Sequence, residues 1–116
     1  MFPGCCIHFE DWKGTDAIRM LERYRDKVLC YNDDIQGTAY VTLAGLTTAL
    51  QIADKPLTEQ RVLFLGAGSA GIGIANMIAA AMQMKGLSKD EARRRISMFD
   101  IDGLLESSRT DLGLCA

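Results

Sequence analysis

The stretch Arg61-Val62-Leu63-Phe64-Leu65-Gly66-Ala67-Gly68-Ser69-Ala70-Gly71 decides the fold. Its first five residues form a compact apolar run, the pattern expected of a strand buried on both faces. A glycine loop follows at once. An apolar helix then runs to about Lys85, where Gly86 is a natural C-terminal cap. Ser88 and Glu91 have the spacing of a capping box for one more helix, reaching Arg95. Ile96-Ser97-Met98-Phe99-Asp100 is a second strand ending in a carboxylate, and Asp102-Gly103 is a turn signal. Strand, glycine loop, helix, strand and acid in this order predict an α/β chain with an incomplete Rossmann-type dinucleotide-binding fold.

Each loop residue has a physical task in that reading. Gly66 permits the tight turn out of the strand, Gly68 lets a pyrophosphate approach the backbone, and Gly71 lets helix and strand pack closely. Ser69 and Ala70 complete the loop at the helix N-terminus, where N–H groups and the helix dipole favour phosphate. Asp100 is placed to accept hydrogen bonds from ribose hydroxyls. It lies 34 residues past Gly66, against about 20 in the usual pattern, and the helix from Ser88 to Arg95 takes up the extra length. A glycine turn without a ligand is the alternative.

Upstream, the signals concern carboxylates. Phe9-Glu10-Asp11-Trp12 sets two acids between aromatics. Thr15 or Asp16 is a candidate cap for an amphipathic helix carrying Ala17, Met20, Leu21 and Tyr24 at three-and-four spacing. Val28 to Tyr31 suits a short strand. Asn32-Asp33-Asp34 reads as a loop feeding a helix from Gln36 to about Ala53, apolar nearly all round and therefore buried, and ended at Asp54-Lys55-Pro56. The pairs Glu10-Asp11 and Asp33-Asp34 offer clustered hard oxygen donors suited to Mg²⁺ or Mn²⁺. Taken alone, such residues are more often helix caps than metal ligands, although their apolar surroundings favour a bound partner.

Composition narrows the setting. A net charge of −2 and a single basic cluster, Arg93-Arg94-Arg95, argue against nucleic acid or an anionic membrane as partner. That cluster reads as a solvated helix face. No apolar stretch reaches the roughly 20 residues of a bilayer span. Cys5, Cys6, Cys30 and Cys115 fit neither a CxxC metal site nor a disulfide framework, and are expected to be reduced thiols of an intracellular protein. The one histidine, His8, is expected to be structural or incidental. Met1 to Ile7 shows no secretory leader and cannot be placed, and Leu112 to Ala116 carries no usable signal.

Phe9-Glu10-Asp11, Arg23-Tyr24-Arg25 and Asn32-Asp33-Asp34-Ile35-Gln36-Gly37-Thr38-Ala39 closely resemble the malic enzyme family. Phe64 to Ala75 and Met98-Phe99-Asp100 continue the likeness in order, so it spans residues 8–109. It implies oxidative decarboxylation of L-malate to pyruvate and CO₂ with reduction of NAD⁺ or NADP⁺, dependent on Mg²⁺ or Mn²⁺. It implies that Glu10, Asp11 and Asp34 are metal ligands and that Asp33 pairs with the catalytic lysine. It also implies that Thr38 lies near the cofactor, that Gly66, Gly68 and Gly71 form the phosphate loop, and that Asp100 binds ribose. Residues 1–31 then close a substrate and metal domain, and residues 32–116 open the NAD(P)-binding domain. A homotetramer in cytoplasm or mitochondrion is the family expectation. The family's lysine base and tyrosine acid lie upstream of the Glu-Asp pair, whereas the nine residues before Glu10 include neither type. This suggests a truncated gene product, a splice form or an incomplete gene model, and one alternative to the enzyme segment is a catalytically inactive truncated chain retaining partial metal or nucleotide sites. Another Rossmann dehydrogenase is the remaining alternative.

Overall fold

In the computed structural model, which describes residues 4–110, strand β1 (Ile7–Phe9) pairs in parallel with β2 (Cys30–Asn32), setting His8 opposite Tyr31 and Phe9 opposite Asn32. Ile7, unplaced by the sequence, is thus ordered by a partner 23 residues away. Helix α1 (Gly14–Tyr24) connects the two strands and buries Ala17 and Leu21, two positions of its apolar stripe. It starts earlier than a Thr15 or Asp16 cap predicts. Lys13 occupies the N-cap with no side-chain bond, and Asp16 falls in the first turn, where a carboxylate favours the helix dipole.

The loop expected at Asn32-Asp33-Asp34 is a π-helical turn, Asp33–Gly37, running straight into helix α2 (Thr38–Ile52). The N–H of Thr38 donates to the Asp33 carbonyl, one residue wider than the α-helical pattern. Helix α2 is not buried all round as its composition predicts. Ala39 is its buried residue, whereas Tyr40, Val41 and Ile52 are exposed. Its packing partners are helix α3 (Ser69–Met84) and the π turn, which leaves the remaining flank open.

Strand β3 (Val62–Leu65) leads through the glycine loop into α3, then α4 (Lys89–Arg94) and strand β4 (Ile96–Asp100). β3 and β4 are parallel, with Val62 opposite Ile96 and Leu65 opposite Phe99. A turn at Gly103 (φ 116°) returns the short antiparallel β5 (Gly103–Leu104). Gly86 closes α3 in the left-handed region, and the N–H of Leu87 donates to the Met82 carbonyl, a Schellman-type end. The Ser88–Glu91 capping box forms as its spacing predicts.

The core is Ile78, Ala79, Met82 and Ala92, with Leu43, Leu46, Val62, Phe64 and Ile96 packed against it. Removing Ile78 or Met82 from water contributes about 1.5–3 kcal/mol each. The expectation that β3 is buried on both faces is corrected. Val62 and Phe64 turn to the core, but Leu63 and Leu65 are 67% and 96% exposed. β3 is the edge of its three-stranded sheet, and α3 and α4 cover one face.

Candidate metal and dinucleotide site

The carboxylates meet because β1 and β2 are parallel. Glu10 and Asp11 leave the C-terminal end of β1, and Asp33 and Asp34 leave the same end of β2. Asp11 turns in the left-handed region (φ 59°), and its N–H donates to Asp34 Oδ2 at 2.8 Å. That bond ties the two acidic loops together and leaves the second oxygen of Asp34 as a donor.

Asn32 shapes the π turn. It is fully buried, its Oδ1 accepts from the N–H of Ile35 at 2.9 Å, and its own N–H donates to Gln36 Oε1 at 3.0 Å. These reciprocal bonds cap the turn that carries Asp33 and Asp34. Asn32 Nδ2 is buried with no hydrogen-bond partner among the described residues.

The convergence differs from the sequence expectation in one respect. The side-chain donors found within 4.8 Å of one another are those of His8, Glu10 and Asp33, not those of Glu10, Asp11 and Asp34. His8 Nε2 lies 3.3 Å from Glu10 Oε2, its Nδ1 shares a hydrogen bond with the Tyr31 hydroxyl at 3.0 Å, and the two rings stack at 4.6 Å. Burial, then the neighbouring Asp33 carboxylate, raises the Tyr31 phenol above its ordinary pKa, so it stays protonated at neutral pH. Glu10 and Asp11 are exposed, and Asp33 and Asp34 half-buried, so the acids are more open to water than their apolar neighbours suggest. His8 is the residue whose placement the sequence reading missed. The available signal was its spacing of two from Glu10, which aims both side chains to one side of an extended segment.

The glycine loop matches its expected geometry closely. Gly66 sits at φ 120° and donates its N–H to the Phe99 carbonyl at 2.8 Å, tying the loop to β4. A Cβ at Gly71 would stand 2.8 Å from the Gly66 carbonyl oxygen and 3.4 Å from Met98 Cε, so only glycine lets α3 approach the loop and β4 this closely. The Cβ position of Gly68 faces open space. Gly68 brings no side-chain cap to α3, so the first-turn N–H groups of Ser69, Ala70 and Gly71 are left for an anion.

Asp100, at the end of β4, is engaged within the chain. Its Oδ1 accepts from the N–H of Asp102 and from Arg109 Nη1, both at 2.8 Å. Arg109, with 13% of its side chain exposed, also reaches the Gly103 carbonyl at 3.4 Å and Asp102 at 3.9 Å. A ribose would share this acid with a guanidinium. Thr38 opens α2, its N–H on the Asp33 carbonyl and its own carbonyl accepting from the Thr42 hydroxyl at 2.7 Å.

Two close approaches set the first turns of α3 against the start of α1 and the π turn. The Cβ position of Gly14 is 3.7 Å from Ser69 Oγ, and that of Gly73 is 2.5 Å from the Ile35 carbonyl oxygen. The π turn therefore rests on the first half of α3, and a cleft of about 400 Å³ between α1 and α3 is lined by Leu21, Ile35, Ser69 and Gly73 among others.

A parallel βαβ unit with its glycine loop at the strand's C-terminal end defines a Rossmann-type dinucleotide-binding α/β fold. Comparison with known proteins makes this specific. The protein-family model described as malic enzyme, NAD binding domain, matches residues 35–115. An NAD-dependent malic enzyme of Erwinia tasmaniensis is 55% identical over 104 residues, 90% of this chain and 18% of the relative. An NADP-dependent malic enzyme of Columba livia is 51% identical over 109 residues, 94% of this chain and 20% of the relative. The crystal structure of Entamoeba histolytica malic enzyme superimposes with a TM-score of 0.79 at 35% identity, covering 91% of this chain and 21% of that one. The chain belongs to the malic enzyme family, and spans about a fifth of the length of the curated relatives it matches. Among the described residues no helix is long and apolar enough to cross a membrane.

Proposed function

We propose that this chain carries the hard-cation ligands and the first half of the NAD(P) site for oxidative decarboxylation of L-malate to pyruvate and CO₂. Glu10, Asp11 and Asp34 hold Mg²⁺ or Mn²⁺, a donor set of carboxylate oxygens whose chemistry suits such ions. A cation held there would supply Lewis acidity toward a substrate oxygen, and a dinucleotide on the glycine loop would supply the hydride acceptor. Asp33 pairs electrostatically with a lysine base. Gly66, Gly68, Ser69, Ala70 and Gly71 cradle the pyrophosphate, Asp100 binds ribose, and Thr38 lies near the cofactor. In this reading residues 1–31 belong to the substrate and metal region and residues 32–116 to the nucleotide region. The free thiols of Cys5, Cys6 and Cys30 suit a reducing, intracellular setting.

The supporting observation is the contact between the two loop systems: Gly14 beside Ser69, and Gly73 beneath Ile35. A cation held by the acidic loops and a dinucleotide on the α3 N-terminus thereby share one region. The hydroxyl proton must leave to a base and the enolate must take a proton from an acid. The chain spans about a fifth of the length of its relatives, so turnover is proposed for the whole protein and not for this segment.

Mn²⁺ titration of the chain, followed by loss of the free-ion electron paramagnetic resonance signal, tests the ligand set. Asp34→Asn and Asp11→Asn are expected to weaken binding by about tenfold or more. Binding unchanged in both variants overturns the assignment.

A further inference from the structure

We infer that His8, Glu10 and Asp33 form a second cation site, selective for a borderline transition metal such as Zn²⁺ or Co²⁺, that competes with the hard-cation site for Glu10. The proposal rests on the reading above only through Glu10, which the two donor sets share.

Three observations carry it. One nitrogen and two carboxylate oxygens lie within 4.8 Å of one another, a span that a single ion can bridge. The imidazole is already oriented: Tyr31 holds Nδ1 by a hydrogen bond at 3.0 Å and stacks on the ring at 4.6 Å, leaving Nε2 toward Glu10 at 3.3 Å. An oxygen behind the non-ligating nitrogen, usually of a carboxylate, backbone carbonyl or water, supports a metal-bound histidine because it fixes the tautomer and the ring plane, and the Tyr31 oxygen stands in that place. Tyr31 suits this part because its hydroxyl can accept as well as donate. The contact at Nδ1 can therefore form whichever ring nitrogen carries the proton. With a cation on Nε2, the ring proton would sit on Nδ1 and the phenol oxygen would accept its hydrogen bond.

The donor set dictates the choice of metal. Exchanging one carboxylate oxygen for imidazole nitrogen favours Co²⁺ and Zn²⁺ over Mg²⁺, which binds nitrogen poorly and requires near-octahedral oxygen coordination. Three protein donors leave coordination positions open to water or to a substrate oxygen. Because Glu10 serves both sets, filling the nitrogen-containing site removes a ligand from the other. A borderline metal therefore acts as an inhibitor of hard-cation binding.

His8 is the only histidine in the chain, so any imidazole signal on metal binding is assigned to it. Co²⁺ titration of the 116-residue chain, read by visible d–d absorption and by the paramagnetic shift of the single imidazole, is expected to saturate at one equivalent with both signals moving together. His8→Gln is expected to weaken Co²⁺ by about 10–100-fold and to leave Mg²⁺ affinity within about twofold. Asp34→Asn is expected to weaken Mg²⁺ while Co²⁺ still shifts the imidazole, which separates this proposal from the hard-cation assignment. An imidazole resonance unmoved by Co²⁺ in the parent chain overturns the proposal, as does Asp34→Asn abolishing both metals together. The parent-chain spectrum decides even if His8→Gln does not fold.

Discussion

The nucleotide half and the acidic half of this molecule are built by different means. From Arg61 to Asp100 the turn at Gly66, the helix end at Gly86 and the capping box at Ser88 each follow from neighbouring residues, although β3 and β4 pair from Val62–Leu65 to Ile96–Phe99. Between Ile7 and Gly37 the geometry is imposed across distance, by a parallel pairing of two three-residue strands and a bond from Asp11 to Asp34. The glycine loop carries its own turn signal at Gly66, whereas the acids come together through partners 23 residues away. The acidic half is accordingly the part whose arrangement depends on packing against α3.

Gly73→Ala tests that dependence and has the largest expected effect. Its Cβ would meet the Ile35 carbonyl oxygen at 2.5 Å, a backbone atom that yields only if the π turn moves. The clash costs about 1–3 kcal/mol, against a gain of at most about 1 kcal/mol in helix propensity. Thermal unfolding should show net destabilisation, and Mn²⁺ affinity should fall while NADH fluorescence binding persists. Gly71→Ala is the converse. Its clash is with the Gly66 carbonyl inside the loop itself, so NADH binding should be lost and Mn²⁺ binding kept. If each variant abolishes both ligands equally, the two halves do not form separable sites.

Asn32→Ala comes next. It removes the acceptor for the Ile35 N–H from a fully buried position, a loss of about 1–3 kcal/mol. Relief of the unpartnered Nδ2 offsets part of this, so a net cost near the lower end is expected in denaturant titration.

Ser88→Ala should have the smallest effect, about 1 kcal/mol from the lost cap, and should spare both ligands. Its pH dependence has a definite sign. Hydrogen bonds from Ser88 hold the Glu91 carboxyl below its ordinary pKa. The stabilisation is therefore complete above the ordinary glutamate range and is lost as pH falls through the lowered value. The stability gap between parent and Ser88→Ala should narrow on acidification below about pH 4.5.

The legibility of the sequence divides along the same line. The strand at Ile96–Asp100, the turn at Gly66 and the capping box at Ser88 were readable because each signal lies within a few residues of its effect. The exposure of Leu63, Leu65 and Val41 was not, since an apolar pattern records what a surface prefers and not which neighbour covers it. The π turn escaped because it depends on the buried Asn32, whose N–H donates to Gln36 Oε1 and whose Oδ1 accepts from the Ile35 N–H. His8 and Arg109 escaped for a related reason. One becomes a candidate ligand through pairing with β2, and the other reaches Asp100 only after the chain reverses at Gly103. The acids themselves were visible, but their grouping was not.

The central claim is that the acidic loops and the glycine loop share one surface, and Mn²⁺-induced broadening of backbone amide resonances tests it most directly. The account predicts that Ser69 and Gly14 broaden together with Asp11 and Asp34, while amides of α4 stay sharp, and that Asp34→Asn removes the effect. Broadening confined to residues 8–12 and 32–36, with Ser69 and Gly71 untouched, contradicts it.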